Sequence, residues 1–161
     1  RTIITIYTKA MTTQAEIDYV EKVGLAFEQL TLPRMAGRIF GWLLIAETPI
    51  VGLGDLVERL QASKSAVSTT ARLLVQIELI ERISLPGDRR DFFRIRADAW
   101  ANTLRARIKQ AGEFRRLADS GLSLLAHSEP ARRERLETMR DLYALLESDL
   151  PLLLEKWEKE K

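Results

Sequence analysis

The sequence predicts a mainly α-helical, α+β fold, in which a winged helix-turn-helix carries long N- and C-terminal dimerisation helices. Residues 52–96 run as short helix, tight turn, second helix and arginine-tipped hairpin, which is the element order of that fold. On both sides, apolar residues recur at steps of three and four, as in amphipathic helices. We therefore divide the chain into a separate segment 1–10, an N-terminal dimerisation helix 11–32, a winged lobe 33–97 and C-terminal dimerisation helices 98–161.

The N-terminal part is expected to begin with a helix over residues 14–30. Thr13 and Glu16 have the spacing of a capping box for its first turn. Met11 is suited to be the native start, so residues 1–10 would lie upstream of it; the alternative is that their alternating Ile-Thr-Ile-Tyr pattern forms an added strand.

A second helix is expected over residues 34–46, because Pro33 interrupts the first and fits the first turn of the next. Gly37 and Gly41 lie one turn apart in it, which favours the close approach of a neighbouring helix. Trp42 follows directly. We interpret this tryptophan as a core residue rather than as part of a ligand site.

The helix-turn-helix follows. Residues 53–60 carry apolar side chains at helical spacing, and Gln61 and Ala62 leave room for only a short turn, so the next helix must cross steeply. The stretch from Gly52 to Asp55 lacks the Gly-Lys-Ser/Thr that would follow in a phosphate loop, and we assign it no nucleotide role.

The second helix has one polar face without a single acidic residue, and Ser63 is placed to cap its N-terminus. Short hydroxyl side chains permit close approach to a phosphate backbone, while long polar side chains reach phosphates or base edges. The alternative is an ordinary solvated face that happens to lack acids. The candidate DNA-binding residues on this face are Lys64, Ser65, Ser68, Thr69, Arg72 and Gln76.

A hairpin is expected next, with strands over residues 80–85 and 91–96 joined by a Pro-Gly turn. Arg89 and Arg90 at its tip are candidates to enter a minor groove or to bind phosphate. Asp88 or Asp91 would orient an arginine by a charge-assisted hydrogen bond. The alternative is that these arginines only keep the hairpin solvated. The polar helix face makes this alternative less favoured, because two basic surfaces then occur where one DNA-binding module would place them.

The C-terminal part predicts a long helix from about Asp98, a break at residues 127–129 and a last helix with a heptad seam. Such a seam needs a partner helix, either the long helix of the same chain or, as we expect, a second copy. Pro151 predicts a kink or restart over residues 148–151. The seam consists of Leu136, Met139, Tyr143, Leu146, Leu150, Leu153 and Trp157.

Composition excludes several function classes. The chain has no cysteine and a single histidine, His127, so thiolate and histidine-cluster metal sites are excluded, and we expect no metal and no cofactor. Nucleophile elbows and dinucleotide loops are missing, so we expect no enzyme. The sequence shows neither a membrane span nor a secretory signal, which favours a cytoplasmic protein.

The run LGDLVERLQASKSAVSTTARLLVQIELIERISLPGDRRDFFRI, preceded by LPRMAGRIFGWLL, resembles the MarR superfamily of bacterial regulators, particularly its GbsR-like branch. The resemblance implies a homodimer whose DNA-binding lobes are joined by the terminal helices. It places Lys64 to Arg72 on the recognition helix and Arg89 and Arg90 in the wing. In many members it also implies a small-molecule pocket between the dimerisation and DNA-binding parts.

These observations predict a sequence-specific, double-stranded DNA-binding transcriptional regulator. A two-fold dimer would present two recognition helices roughly 34 Å apart, which matches successive major grooves of a palindromic operator. A small-molecule effector would act by preferring a dimer geometry with mismatched lobes. The alternative function is a winged-helix protein-interaction module that does not bind DNA.

Overall fold

The computed structural model of the chain describes residues 12–160; the predicted upstream segment 1–10 lies outside them. The described part contains six helices and three short strands and divides after Arg96 into two compact units. The mainly helical, winged helix-turn-helix fold is confirmed. In order, the elements are α1 (Gln14–Gln29), α2 (Arg34–Ile45), β1 (Val51–Gly52), α3 (Leu53–Arg59), α4 (Lys64–Gln76), β2 (Ile80–Ile83), β3 (Phe92–Ile95), α5 (Ala99–Leu124) and α6 (Pro130–Lys159).

Helices α1 and α2 pack closely. The predicted capping box of α1 is present: the Thr13 amide donates to Glu16 Oε2 at 2.7 Å, and the Glu16 amide donates to Thr13 Oγ1 at 3.2 Å. A methyl group added at Gly37 would lie 2.5 Å from the Val23 carbonyl oxygen, so only glycine permits this approach. The two helices therefore form a rigid base for the first unit.

The core of the first unit lies between α2, α3, α4 and the sheet. Trp42 is 7% exposed and belongs to this core, as predicted. Burial of these side chains supplies the main driving force for the unit. The largest fully buried side chains of the described chain are Ile39, Leu56, Leu60, Val67, Leu74 and Ile80.

The three strands form one antiparallel sheet in the order β1-β3-β2. Val51 pairs with Phe93, and Glu81 pairs with Arg94. Strand β1 was not predicted, because two residues are too few to show an alternating pattern. It forms because β3 presents a free edge, and it joins the start of α3 to the base of the wing.

The second unit is a pair of antiparallel helices, α5 and α6. Phe114 stacks on Tyr143 with ring centroids 4.9 Å apart. Arg105 and Arg115 form ion pairs with Glu158 and Glu147. One residue of the heptad seam, Tyr143, is thus packed on the same chain.

The seam as a whole is mostly half-buried, and a different set of α6 leucines is exposed. Leu153 is the one seam residue among them. These side chains lie along one side of the helix and form an apolar face, interrupted by the exposed Asp149, that the described chain leaves uncovered. The α6 leucines that are more than half exposed are Leu142, Leu145, Leu152 and Leu153.

Helix α6 runs through Pro151 without interruption, so the predicted restart over residues 148–151 is wrong. Proline removes one backbone donor, which costs a hydrogen bond but does not end a helix that is held by tertiary contacts. Ion pairs at Glu147 and Glu158 anchor α6 to α5 on both sides of the proline. Among residues 12–160, none of the helices is long and apolar enough to cross a membrane.

Candidate nucleic-acid interface

The turn between α3 and α4 sets the direction of the candidate recognition helix. Leu60 closes α3 and is 2% exposed. Gln61 has a φ of 47°, a left-handed conformation that reverses the chain, and the Ala62 amide donates back to the Val57 carbonyl at 3.2 Å. The turn is therefore hydrogen-bonded to the helix that precedes it.

Ser63 caps α4, as predicted: its hydroxyl oxygen accepts from the Ala66 amide at 3.2 Å. Val67, Ala71 and Leu74 are buried and orient the helix on the core. Helical periodicity predicts that Ala66 lies on the packing side of α4, but in the structure it is exposed.

The polar face of α4 faces solvent. Of its six candidate residues, five are exposed and Ser68 is half-buried. Arg72 Nη2 donates to Thr69 Oγ1 at 3.3 Å, which orients the guanidinium along the helix surface. Helix α4 contains no acidic residue, so its own charges attract an anion without internal competition. The exposed candidates are Lys64, Ser65, Thr69, Arg72 and Gln76.

The wing loop turns at Gly87, whose φ of 77° favours glycine. Both oxygens of Asp88 accept from the side chain of Arg90, at 2.6 to 3.0 Å. The Arg90 backbone amide also donates to Asp88 Oδ1. These hydrogen bonds lower the pKa of Asp88 from 3.8 to about 2, and the same pairing raises the pKa of Arg90.

Each of the two candidate orienting acids in the wing has its own partner. Asp91 lies 2.5 Å from Arg82 of β2, whereas Asp88 pairs with Arg90. The guanidinium carbon of Arg90 lies 5.3 Å from the ring centroid of Phe92, so this arginine is held on two sides. Arg89 is exposed beside it.

A cleft of about 590 Å³ lies between the N-terminus of α4 and the wing loop. Lys64 at the start of α4 and the wing arginines Arg89 and Arg90 line the same cleft, so the structure brings them together. The other candidates continue along the exposed face of α4. Asp91, named from the sequence as a possible partner of a wing arginine, also lines the cleft. Sequence analysis missed the other two acidic residues, Asp55 and Glu58, because their approach depends on tertiary packing.

Arg59, another cation of this region, serves the fold. Its guanidinium lies 5.2 Å from the Trp42 ring centroid and donates to Thr12 Oγ1 at 2.6 Å. This arginine therefore ties α3 to the N-terminal part of the chain. Within residues 12–160, no group of three or more His, Cys, Asp or Glu side chains is arranged to hold a metal ion.

The arrangement of this site suits a polyanion. Exposed cations and hydroxyls cover one helix face, and the capped N-terminus of α4 adds the positive end of the helix dipole beside Lys64. A projecting loop places two further arginines along the same cleft. Double-stranded DNA offers the two kinds of group that such a surface can bind, which are backbone phosphates and the edges of the bases.

Comparison with known proteins gives consistent matches along most of the chain. Residues 30–91 match the profile described as MarR family, and residues 98–160 match that of the MmpR5-like MarR family transcriptional regulators. The HTH-type transcriptional regulator MmpR5 of Mycobacterium tuberculosis is 42% identical over 132 residues, which cover 82% of this chain and 80% of the relative.

A solved structure, described as the crystal structure of a transcriptional regulator, resembles the chain at 39% identity with a TM-score of 0.75. The match covers 90% of this chain and 99% of that one. These relatives favour a DNA-binding regulator over the protein-interaction module, and the family consists of regulators rather than enzymes. The chain therefore belongs to the MarR family of transcriptional regulators.

Proposed function

We propose that the chain acts as a homodimer that binds a palindromic duplex operator through α4 and the wing. The observation that carries this proposal is the shared cleft: Lys64 of α4 and Arg89 and Arg90 of the wing line it together. A single surface then contacts a major groove with the helix and the neighbouring backbone or minor groove with the loop.

Different residues would supply affinity and sequence preference. Lys64 and the wing arginines are suited to phosphate, because their cationic ends are exposed beside a helix N-terminus. Arg72 and Gln76 lie further along the exposed face and have the donor and acceptor geometry that reads guanine and adenine edges. Ser65, Ser68 and Thr69 are short enough to let the backbone approach.

The second copy is proposed to pair through the terminal helices, residues 11–32 and 98–161. The exposed α6 leucines described above support this, since a monomer would leave this apolar face in water. Leu145, for example, is 56% exposed in the middle of the helix. The dimer would set the distance between the two α4 helices and hence the spacing of the operator half-sites.

Regulation by a small-molecule effector is part of the proposal. A ligand that binds one dimer geometry more tightly shifts the population toward it, and its effect on DNA affinity equals that preference. The finer placement in the GbsR-like branch stays a prediction that rests on the LPRMAGR and PGDRRD segments. The cytoplasm, where a bacterial operator is found, is the proposed location.

The first test is selection of bound fragments from a genomic DNA pool, followed by mobility shift on the selected sequence and on random duplex. We expect binding to both at low salt, with a clear preference for a palindromic fragment. The double variant Arg89→Ala/Arg90→Ala should weaken binding and flatten its salt dependence, whereas Arg132→Ala, at an exposed position of α6, should leave both unchanged.

The dimer is tested separately by sedimentation of wild type and Leu145→Gln. We expect a dimer for wild type and a larger monomer fraction for the variant, because a polar side chain would be buried at the pairing face. A monomeric wild type at micromolar concentration, or no binding to any duplex at low salt, would contradict the proposed function.

A further inference from the structure

A side chain outside the DNA-facing surface holds the turn of the helix-turn-helix. Arg38 of α2 donates from Nη2 to the Leu60 carbonyl oxygen at 2.8 Å, across 22 positions of sequence. Its Nε lies 2.6 Å from Glu21 Oε1 of α1, a contact that is ionic rather than a well-aligned hydrogen bond. One guanidinium thus connects three helices.

The Leu60 carbonyl, which accepts this hydrogen bond, lies directly before the turn that sets the direction of α4. Leu60 is the C-cap residue that follows α3, and only Gln61 to Ser63 separate it from α4. The carbonyls at a helix end lack partners within the helix and are satisfied from outside. The hydrogen bond from Arg38 fixes the Leu60 carbonyl, and burial fixes the Leu60 side chain. The strained turn at Gln61 is therefore held in a single direction.

The base that carries Arg38 is rigid. A methyl group at Gly24 would lie 3.1 Å from Cγ of both Arg34 and Arg38, so this glycine makes room for the two arginine stems. Close contact between Gly37 and Val23 locks α2 against α1. The position of the guanidinium is therefore set by helix packing and not by a flexible stem alone.

We propose that Arg38 is a positioning residue for α4, acting through the Leu60 carbonyl, with Glu21 of α1 compensating its charge. It has no need to touch DNA. Loss of the hydrogen bond frees the turn, so that α4 samples orientations in which its polar face and the wing no longer meet one duplex together. This inference rests on the proposed function for its DNA readout.

Arg34 supplies a matched control. It also pairs with Glu21, at 2.8 Å to Oε2, and its stem lies beside that of Arg38. Among the described residues, the Arg34 guanidinium donates its hydrogen bond to Glu21 and not to the turn. Arg34→Met and Arg38→Met therefore remove the same charge next to the same acid, while only the second removes the donor to Leu60.

The experiment compares wild type, Arg38→Met, Arg38→Lys and Arg34→Met by operator affinity at a temperature where circular dichroism shows each variant folded. We expect Arg38→Met to lose about tenfold in affinity and Arg34→Met to stay within about twofold. Arg38→Lys should be intermediate, because one ammonium keeps the charge but cannot serve both Glu21 and the carbonyl.

Hydrogen exchange of the amides from Gln61 to Lys64 gives a readout that does not depend on DNA. We expect faster exchange in Arg38→Met than in Arg34→Met. Equal exchange and equal affinity in the two variants would overturn the positioning role. If wild type bound no duplex, the proposed function would fail, and the exchange comparison would still decide for or against Arg38.

Discussion

Asp88 binds the side chain of Arg90 through both carboxylate oxygens, so the wing contains one arginine of fixed direction next to one without this pairing. The ring of Phe92 supports the same guanidinium from another side. An arginine that is held before DNA arrives loses less conformational entropy on binding. Asp88 is therefore expected to favour one orientation of Arg90 against DNA, even though its own negative charge is repelled by the phosphates.

The first prediction concerns Asp88→Asn. The variant removes a negative charge, which should strengthen binding to random duplex, and it releases Arg90, which should weaken binding to the operator. We expect the ratio of operator to random affinity to fall by about tenfold. Competition mobility shift at two salt concentrations measures both affinities.

A suitable control for this variant is Asp91→Asn, which also removes a wing carboxylate but one that pairs with Arg82. We expect it to raise random binding without releasing Arg90. An unchanged ratio of operator to random affinity in Asp88→Asn would show that the direction of Arg90 does not contribute to operator preference.

The second prediction concerns pH. The pKa of Asp88 is about 2 in the folded wing, below its ordinary 3.8, because Arg90 donates to the ionised form. A lowered carboxyl pKa adds stability that is complete above the unfolded value and is lost as pH falls through the folded value. The pairing should therefore persist at pH 3 and be half lost near pH 2, whereas its contribution to stability begins to fall below about pH 4.

Carbon-13 NMR of the Asp88 carboxyl tests this directly. At pH 3 the wild-type group should remain mostly ionised, whereas in Arg90→Ala it should be mostly protonated, since its hydrogen-bond donor is lost. Identical titration of Asp88 in the two proteins would contradict the pairing.

The local features of the fold could be predicted from the sequence with good bounds. The caps at Thr13 and Ser63 depend on side chains within three residues, and the exposed face of α4 follows from helical periodicity. The sequence also predicted that Asp88 or Asp91 would orient a wing arginine, and Asp88 pairs with Arg90. These features share a physical cause: each is decided by neighbours within one or two turns.

Features decided by distant neighbours could not be predicted. Strand β1 exists because β3 offers it an edge about forty residues away, and its two residues carry no period of their own. The hydrogen bond from Arg38 to Leu60 gives no local signal either, since any arginine on α2 has the same propensity. The α6 seam shows the same limit, because periodicity reveals an apolar stripe but not which helix covers it.

The third prediction compares two glycines. Gly37→Ala should lower the free energy of unfolding by about 1–3 kcal/mol, because the new methyl group meets the Val23 carbonyl and the backbone must shift. Gly54→Ala should raise it by about 0.4–1 kcal/mol, because its methyl group meets nothing within 4 Å and alanine restricts the unfolded chain.

Urea unfolding of both variants and wild type measures the two free energies. The pair controls for helix propensity, since both positions are helical and both changes are the same. Equal effects of the two substitutions would contradict the close packing of α1 on α2.

The last prediction separates base contact from phosphate contact at Arg72. This side chain is exposed on α4, and Thr69 accepts a hydrogen bond from it at 3.3 Å. Arg72→Ala should cost about 1–3 kcal/mol of operator binding and relax base choice at one position if the guanidinium reads a guanine edge. Arg72→Lys should then lose most of the same preference, because an ammonium cannot make the paired contact. If Arg72→Lys instead restores full affinity and Arg72→Ala weakens all sequences equally, Arg72 binds phosphate, and base choice must come from Gln76 and the hydroxyl residues of α4.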